Sequence, residues 1–177
     1  METGMNHFMM GTSSDRTEGG ICCFTGHRVI AQTHMTELCA ALDETLRELY
    51  DKGVRRFRAG GAMGFDTVAA LRVLVLKKRG AEDARLDLIL PCRDQTARWP
   101  APAVRDYNFI LARADSVVYV SEHYTAGCMH DRNRALVNGS DYCVTYCLEN
   151  RGGTAYTVAY ALKAGVTLIN LGERFLR

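Results

Sequence analysis

Six short strand-like runs, each parted from the next by a helix-length segment, constrain this chain more than any other feature of its sequence. The runs are GICCF (20–24), RRFRA (55–59), RLDLILP (85–91), SVVYVS (116–121), DYCVTYC (141–147) and VTLINL (166–171). Between them lie stretches with helical spacing. In the first, Leu38, Leu42, Leu46 and Leu49 recur on one face and Gly53 supplies a stop. FDTVAALRVLVLKKRG (65–80) ends in Lys77, Lys78 and Arg79, which suits the negative end of a helix dipole. AVRDYNFILARA (103–114), GCMHDRNRALVNGS (127–140) and GTAYTVAYALKAG (153–165) complete the set, the last with Thr154 as expected N-cap and Gly165 as stop. Apolar strands alternating with helices predict a mostly parallel sheet covered on both faces, a Rossmann-like α/β three-layer sandwich.

A chain of 177 residues, 47% apolar and 24% charged, suits one globular domain with a full core. We expect a mobile tail over 1–18 and a single domain over 19–177. A formal net charge of +2 argues against nucleic acid as the default partner. Charges interrupt every apolar run before it reaches membrane-spanning length. The opening METGMNHFMMGTSSDRTEGG lacks the basic region and long apolar stretch of a signal peptide, so the cytoplasm is the expected compartment. The seven cysteines are odd in number and include no CxxC pair. Reduced thiols are therefore expected and no metal site.

In an open parallel sheet, ligands bind in the loops that leave the carboxyl ends of the strands. Here those loops are TGHR, GGAMGFD, CRDQTARW, SEHYTAGCMHDRNR and LENRGGT, all rich in Gly, Arg, Thr or Asn, whereas the opposite loops read as plain turns. Gly60, Gly61 and Gly64 precede a helix, where bare amides and a positive dipole end favour phosphate; tight strand-to-helix packing is the alternative. Asp66 suits either a ribose hydroxyl or the dipole of its own helix. Thr25, Gly26, His27 and Arg28 follow the first strand, where dinucleotide folds hold their ligand. On the 127–140 helix, Met129, Arg132, Asn133 and Leu136 make one stripe, and His130, Arg134 and Val137 another. Arg132 and Asn133 are expected to face the site, with Arg134 as an ion-pair partner. Gly152, Gly153 and Thr154 form a second glycine loop entering a helix. Trp99, beside Arg93 and Arg98, suits either stacking on a base or a lid packed on the core. No nucleophile–base–orienter set is visible.

In combination and in order, CCFTGHR, GGAMGFDTVAA, DQTARW, RNRALVNGSDYCVTY and GGTAYTVAYALKAGVTLINL resemble the YpsA-like branch of the SLOG superfamily over about residues 20–171. That superfamily is Rossmann-like and includes the LOG phosphoribohydrolases and the DNA-processing protein A domain. The resemblance implies a nucleotide or nucleotide-derived ligand such as ADP-ribose, no required cofactor, and a homodimer formed through helices flanking the sheet. Val29 stands where the branch usually has proline. The phosphoribohydrolase motif M-x-x-R-K resembles Met129 to Asn133 and implies a catalytic arginine at Arg132. Their P-G-G-x-G-T-x-x-E motif resembles the stretch around Gly152, Gly153 and Thr154, with its catalytic glutamate falling on Thr157. Threonine carries no charge for an oxocarbenium-like centre. The resemblance thus implies ligand binding or sensing first and an N-glycosidase second, with Glu122, Glu149 or Asp66 as substitute acids.

Overall fold

A computed structural model describes residues 19–176. The expected tail over 1–18 lies outside the described residues. The strands are β1 (Gly20–Gly26), β2 (Val54–Ala59), β3 (Arg85–Leu90), β4 (Ser116–Tyr119), β5 (Tyr142–Tyr146) and β6 (Thr167–Asn170). The helices are α1 (Met35–Asp51), α2 (Phe65–Lys78), α3 (Ala101–Leu111), α4 (Cys128–Val137) and α5 (Gly152–Lys163). Every pairing in the six-stranded sheet is parallel, in the order β4-β3-β2-β1-β5-β6. The protein is thus a Rossmann-like α/β sandwich, as the run pattern predicts.

Strand periodicity divides the core into two layers. Cys22 and Phe24 point to the face packed by Leu38, Leu42, Leu46 and Leu49 of α1 and by Phe65, Ala69 and Val73 of α2. Cys23, one residue on, points to the other face with Cys143, where Leu136 and Val137 of α4 and Ala161 of α5 cover it. Each of the four α1 leucines is almost completely buried, which fits their shared stripe. All seven thiols are free, and five of them are buried. No helix among the described residues is long and apolar enough to cross a membrane.

The strand order fixes where a ligand can enter. From β1 the chain steps outward through β2, β3 and β4, then returns to the opposite side of β1 to lay down β5 and β6. Loops after β1 and β5 therefore diverge to opposite sides and leave a crevice at the carboxyl edge.

Candidate functional site

A cavity of about 360 Å³ occupies that crevice. Its wall takes Thr25 to Arg28 from the end of β1 and its loop, Ala62 and Asp66 from the entry to α2, Arg132 and Asn133 from α4, and Gly153 and Thr154 from α5. Nine of the expected ligand residues converge here. Met129, His130 and Leu136 also line the wall. His130, which the two-stripe pattern of α4 turns away from the site, faces the cavity as well. Its partner in that stripe, Arg134, makes no ion pair among the described residues; its Nε donates to the Tyr156 hydroxyl at 3.2 Å.

Arg132 dominates the chemistry of the cavity. It lies one turn before Leu136, which is buried against the sheet, so its stem is carried inward and the residue is only 6% exposed. Nε donates to Asn133 Oδ1 at 2.8 Å, and Nη1 donates to the Gly60 carbonyl. Nη1 also lies 3.9 Å from Asp66 Oδ2. Nη2 has no protein partner among the described residues. It is also absent from the buried polar atoms left unpartnered, which are Arg58 Nε and Thr145 Oγ1. Arg132 itself lines the cavity. Burial pulls the Arg132 pKa below the usual arginine value, and Asp66 opposes that shift. Burial likewise pushes Asp66 up, only partly offset by Arg132, the amides of Ala62 and Gly60, and Arg28. For each ion, desolvation outweighs its partner.

The two glycine loops serve different ends. In the first, the Gly60 and Ala62 amides donate to Asp66 Oδ2 at 3.1 and 3.5 Å, and the Phe65 amide donates to the His27 carbonyl at 3.1 Å. A Cβ on Gly60 would strike the Arg132 guanidinium, one on Gly61 the Leu90 side chain, and one on Gly64 the Arg28 and His27 carbonyls. Gly64 also holds φ +81°. Packing thus explains these glycines, and none of the three lines the cavity. The first loop is not an open seat for phosphate, because its own aspartate fills it.

The second loop is open. Helix α5 begins at Gly152, with Arg151 rather than Thr154 in the N-cap position and no side-chain cap. Thr154 sits in the first turn, where its amide is one of the donors without an intrahelical acceptor. A Cβ on Gly153 would meet nothing within 4 Å. Thr157, at the position of the expected glutamate, is buried and back-bonds to the Gly153 carbonyl at 2.9 Å.

Other expected residues lie elsewhere. Arg93 donates to Glu122 at 2.8 Å and covers the Tyr119 ring, and both charged groups are exposed. Trp99 packs edge-on against Tyr107 at 5.7 Å, which favours the core-packed lid over base stacking. Glu149 pairs with Arg151. None of the four lines the cavity. Val29, in the proline position, is exposed on the loop after β1. His27 accepts the Leu148 amide at Nε2, 2.8 Å away, which leaves its ring proton on Nδ1 and ties the β1 and β5 loops together. Among the described residues no group of three metal-ligating side chains assembles.

Comparison with known proteins agrees with this fold. A UPF0398 protein of Lysinibacillus sphaericus is 29% identical over 126 residues, which is 70% of each chain. The SPbeta prophage-derived protein YoqJ of Bacillus subtilis is 27% identical over 142 residues, covering 73% of this chain and 82% of its own. Among solved structures, DNA processing protein A of Helicobacter pylori superposes with a TM-score of 0.60 at 17% identity. It covers 85% of this chain and 64% of that one. Its Streptococcus pneumoniae counterpart gives 0.61 at 15%, covering 85% and 49%. The chain therefore spans half to two thirds of those proteins, and at such identities they share its fold. The YspA SLOG family (YpsA) matches residues 24–167, most of the described chain, and the chain belongs to that family.

Proposed function

We propose that this domain binds or senses a nucleotide or nucleotide-derived, ADP-ribose-like ligand through its phosphates. One observation carries the reading: a buried arginine, Arg132, lines the same cavity as the uncapped N-terminus of α5. Helix amides and a desolvated guanidinium both favour an anion. Each gains more from it inside a cavity than in water. Arg28, exposed at the wall, adds a second cation. Buried free thiols are consistent with a reducing compartment, the cytoplasm, as part of the same proposal.

Calorimetric titration with ADP-ribose and with nucleoside monophosphates tests the proposal. Saturable binding supports it, and no binding of any phosphorylated probe contradicts it. Because the H. pylori neighbour binds single-stranded DNA, an oligonucleotide belongs among the probes. Oligonucleotide binding without mononucleotide binding would transfer the site to nucleic acid. A second reading, an N-glycosidase acting on a nucleotide or NAD-derived substrate, rests on Asp66, the carboxylate that lines the cavity. Release of free base from a nucleoside monophosphate, ADP-ribose or NAD, abolished in Asp66→Asn, would establish it.

A further inference from the structure

Asp66 is an unexpected neighbour for an anion. Its Oδ2 is occupied by the Gly60 and Ala62 amides. Its Oδ1 takes no hydrogen bond among the described residues, and Asp66 lines the cavity. An incoming phosphate oxygen reaching Arg132 Nη2 and the α5 amides shares about 360 Å³ with that carboxylate oxygen. Two anionic oxygens in one desolvated space repel strongly unless a proton lies between them.

We propose that Asp66 meets the ligand's phosphate as a neutral carboxylic acid, donating a hydrogen bond from Oδ1, so that each ligand bound draws a proton from solvent. The inference rests on the phosphate-binding reading above. The balance is simple: an ionised carboxylate, an ionised phosphate and one proton from water give a carboxylic acid hydrogen-bonded to phosphate, with no covalent bond changed.

The surroundings favour this state. The two amides stay on Oδ2 whether or not Oδ1 carries a proton. Burial already raises the Asp66 pKa in the empty site, and a second anion nearby raises it further. Arg132 on α4 and Arg28 on the β1 loop are the cations facing the group, and both oppose protonation. An anion bound to Arg132 weakens that opposition. His27 on the β1 loop, whose Nε2 accepts the Leu148 amide, and His130 on α4 are the other ionisable side chains on the same wall. No titratable side chain faces it from the first turn of α5. Asp66 thus determines specificity: it accepts a phosphate ester only together with a proton, and it leaves a carboxylate for neutral or cationic groups.

ADP-ribose is a suitable probe because its pyrophosphate keeps constant charge from about pH 5 to 8. Titration calorimetry in buffers of different ionisation enthalpy counts protons. The expected result is uptake approaching ~1 proton per ligand in the window above the free-site pKa and below the bound-site pKa. Affinity should fall by up to about tenfold per pH unit across that same window and level off above the bound-site value. Asp66→Asn should abolish the uptake and flatten the pH profile, while Glu122→Gln, outside the cavity, keeps both. Persistence of uptake in Asp66→Asn would assign the proton to a histidine and overturn the proposal. If Asp66→Asn does not fold, an infrared difference spectrum of the wild type decides. A new carboxylic-acid carbonyl band on adding ADP-ribose supports the proposal, and its absence overturns it. Saturable binding with no uptake sinks this inference alone, whereas no binding at all sinks it together with the ligand reading.

Discussion

Gly153→Val separates ligand chemistry from folding more cleanly than any other substitution in this chain. Gly153 sits in the first turn of α5 and forms part of the cavity wall, and an added Cβ meets no atom within 4 Å. The empty protein therefore has room for the new side chain. Valine is a slightly better helix former than glycine, so stability should hold within about 0.5 kcal/mol. The cavity changes far more. A branched side chain at the mouth of the helix keeps an anion away from the first-turn amides. Losing one hydrogen bond to a charged group costs about 1.5–3 kcal/mol, or roughly tenfold to a hundredfold in affinity. Thermal melting establishes that the variant is folded, and calorimetry with ADP-ribose reads the affinity. A folded Gly153→Val protein that binds as tightly as the wild type refutes the role assigned to α5.

Further expectations follow from the same geometry. Gly64→Ala should behave in the opposite way, losing about 1–3 kcal/mol of stability from the positive φ alone, with the clash against the Arg28 carbonyl added; denaturant unfolding checks it. Arg132→Ala should weaken ADP-ribose binding by about 1.5–3 kcal/mol and also lower stability by roughly 3 kcal/mol, because a buried carboxylate and the Gly60 carbonyl lose their cation. A loss of a few tenths in both would return Arg132 to a passive role. The folded-state pKa of Asp66 lies above its unfolded value, so its contribution to stability is complete below the unfolded pKa and is lost as pH rises through the folded one. Asp66→Asn should therefore gain in melting temperature relative to wild type as pH rises through that window, and a difference that shrinks with pH contradicts the assignment. Asp115 titrates in the other sense. Burial raises it, but Lys77 at 2.6 Å and the Leu86 amide at 2.7 Å more than compensate, so its pKa falls. The stability that it adds is present above the unfolded carboxylate pKa and is lost as pH falls through the folded one; Asp115→Asn should remove that part of the acid sensitivity.

The elements themselves were plain in the chain. Leu38, Leu42, Leu46 and Leu49 announced α1 and its buried face, and each of the six runs became a strand, shifted by a residue or two at the ends. The parallel run pattern placed the site at the carboxyl ends of the strands, and the β1 loop and the first turn of α5 do meet there. What local sequence cannot carry is which of two similar glycine loops is open. Gly60 and Gly64 owe their bareness to Arg132 and Arg28, residues 72 and 36 positions away in the chain, numbers that follow from the contacts and not from local pattern. Trp99 turned inward because Tyr107 offered a ring edge a turn and a half along α3, and Arg93 found Glu122 across a loop. Thr154 has the hydroxyl that favours an N-cap, but the helix starts at Gly152 and the N-cap is Arg151, three residues earlier. The two-stripe pattern of α4 turns His130 away from the site. A helix of ten residues packed over a cavity presents a wider face than one stripe.

Amide chemical shifts during a titration with ADP-ribose test the central claim most directly, because they report on both glycine loops at once. If phosphate rests on α5 and Arg132, the Gly153 and Thr154 amides and the Arg132 side-chain Nε shift early and saturably, while the Gly61 and Gly64 amides move little. The largest shifts falling on Gly60 to Gly64, or on residues far from the cavity with Gly153 and Thr154 unmoved, would contradict the account.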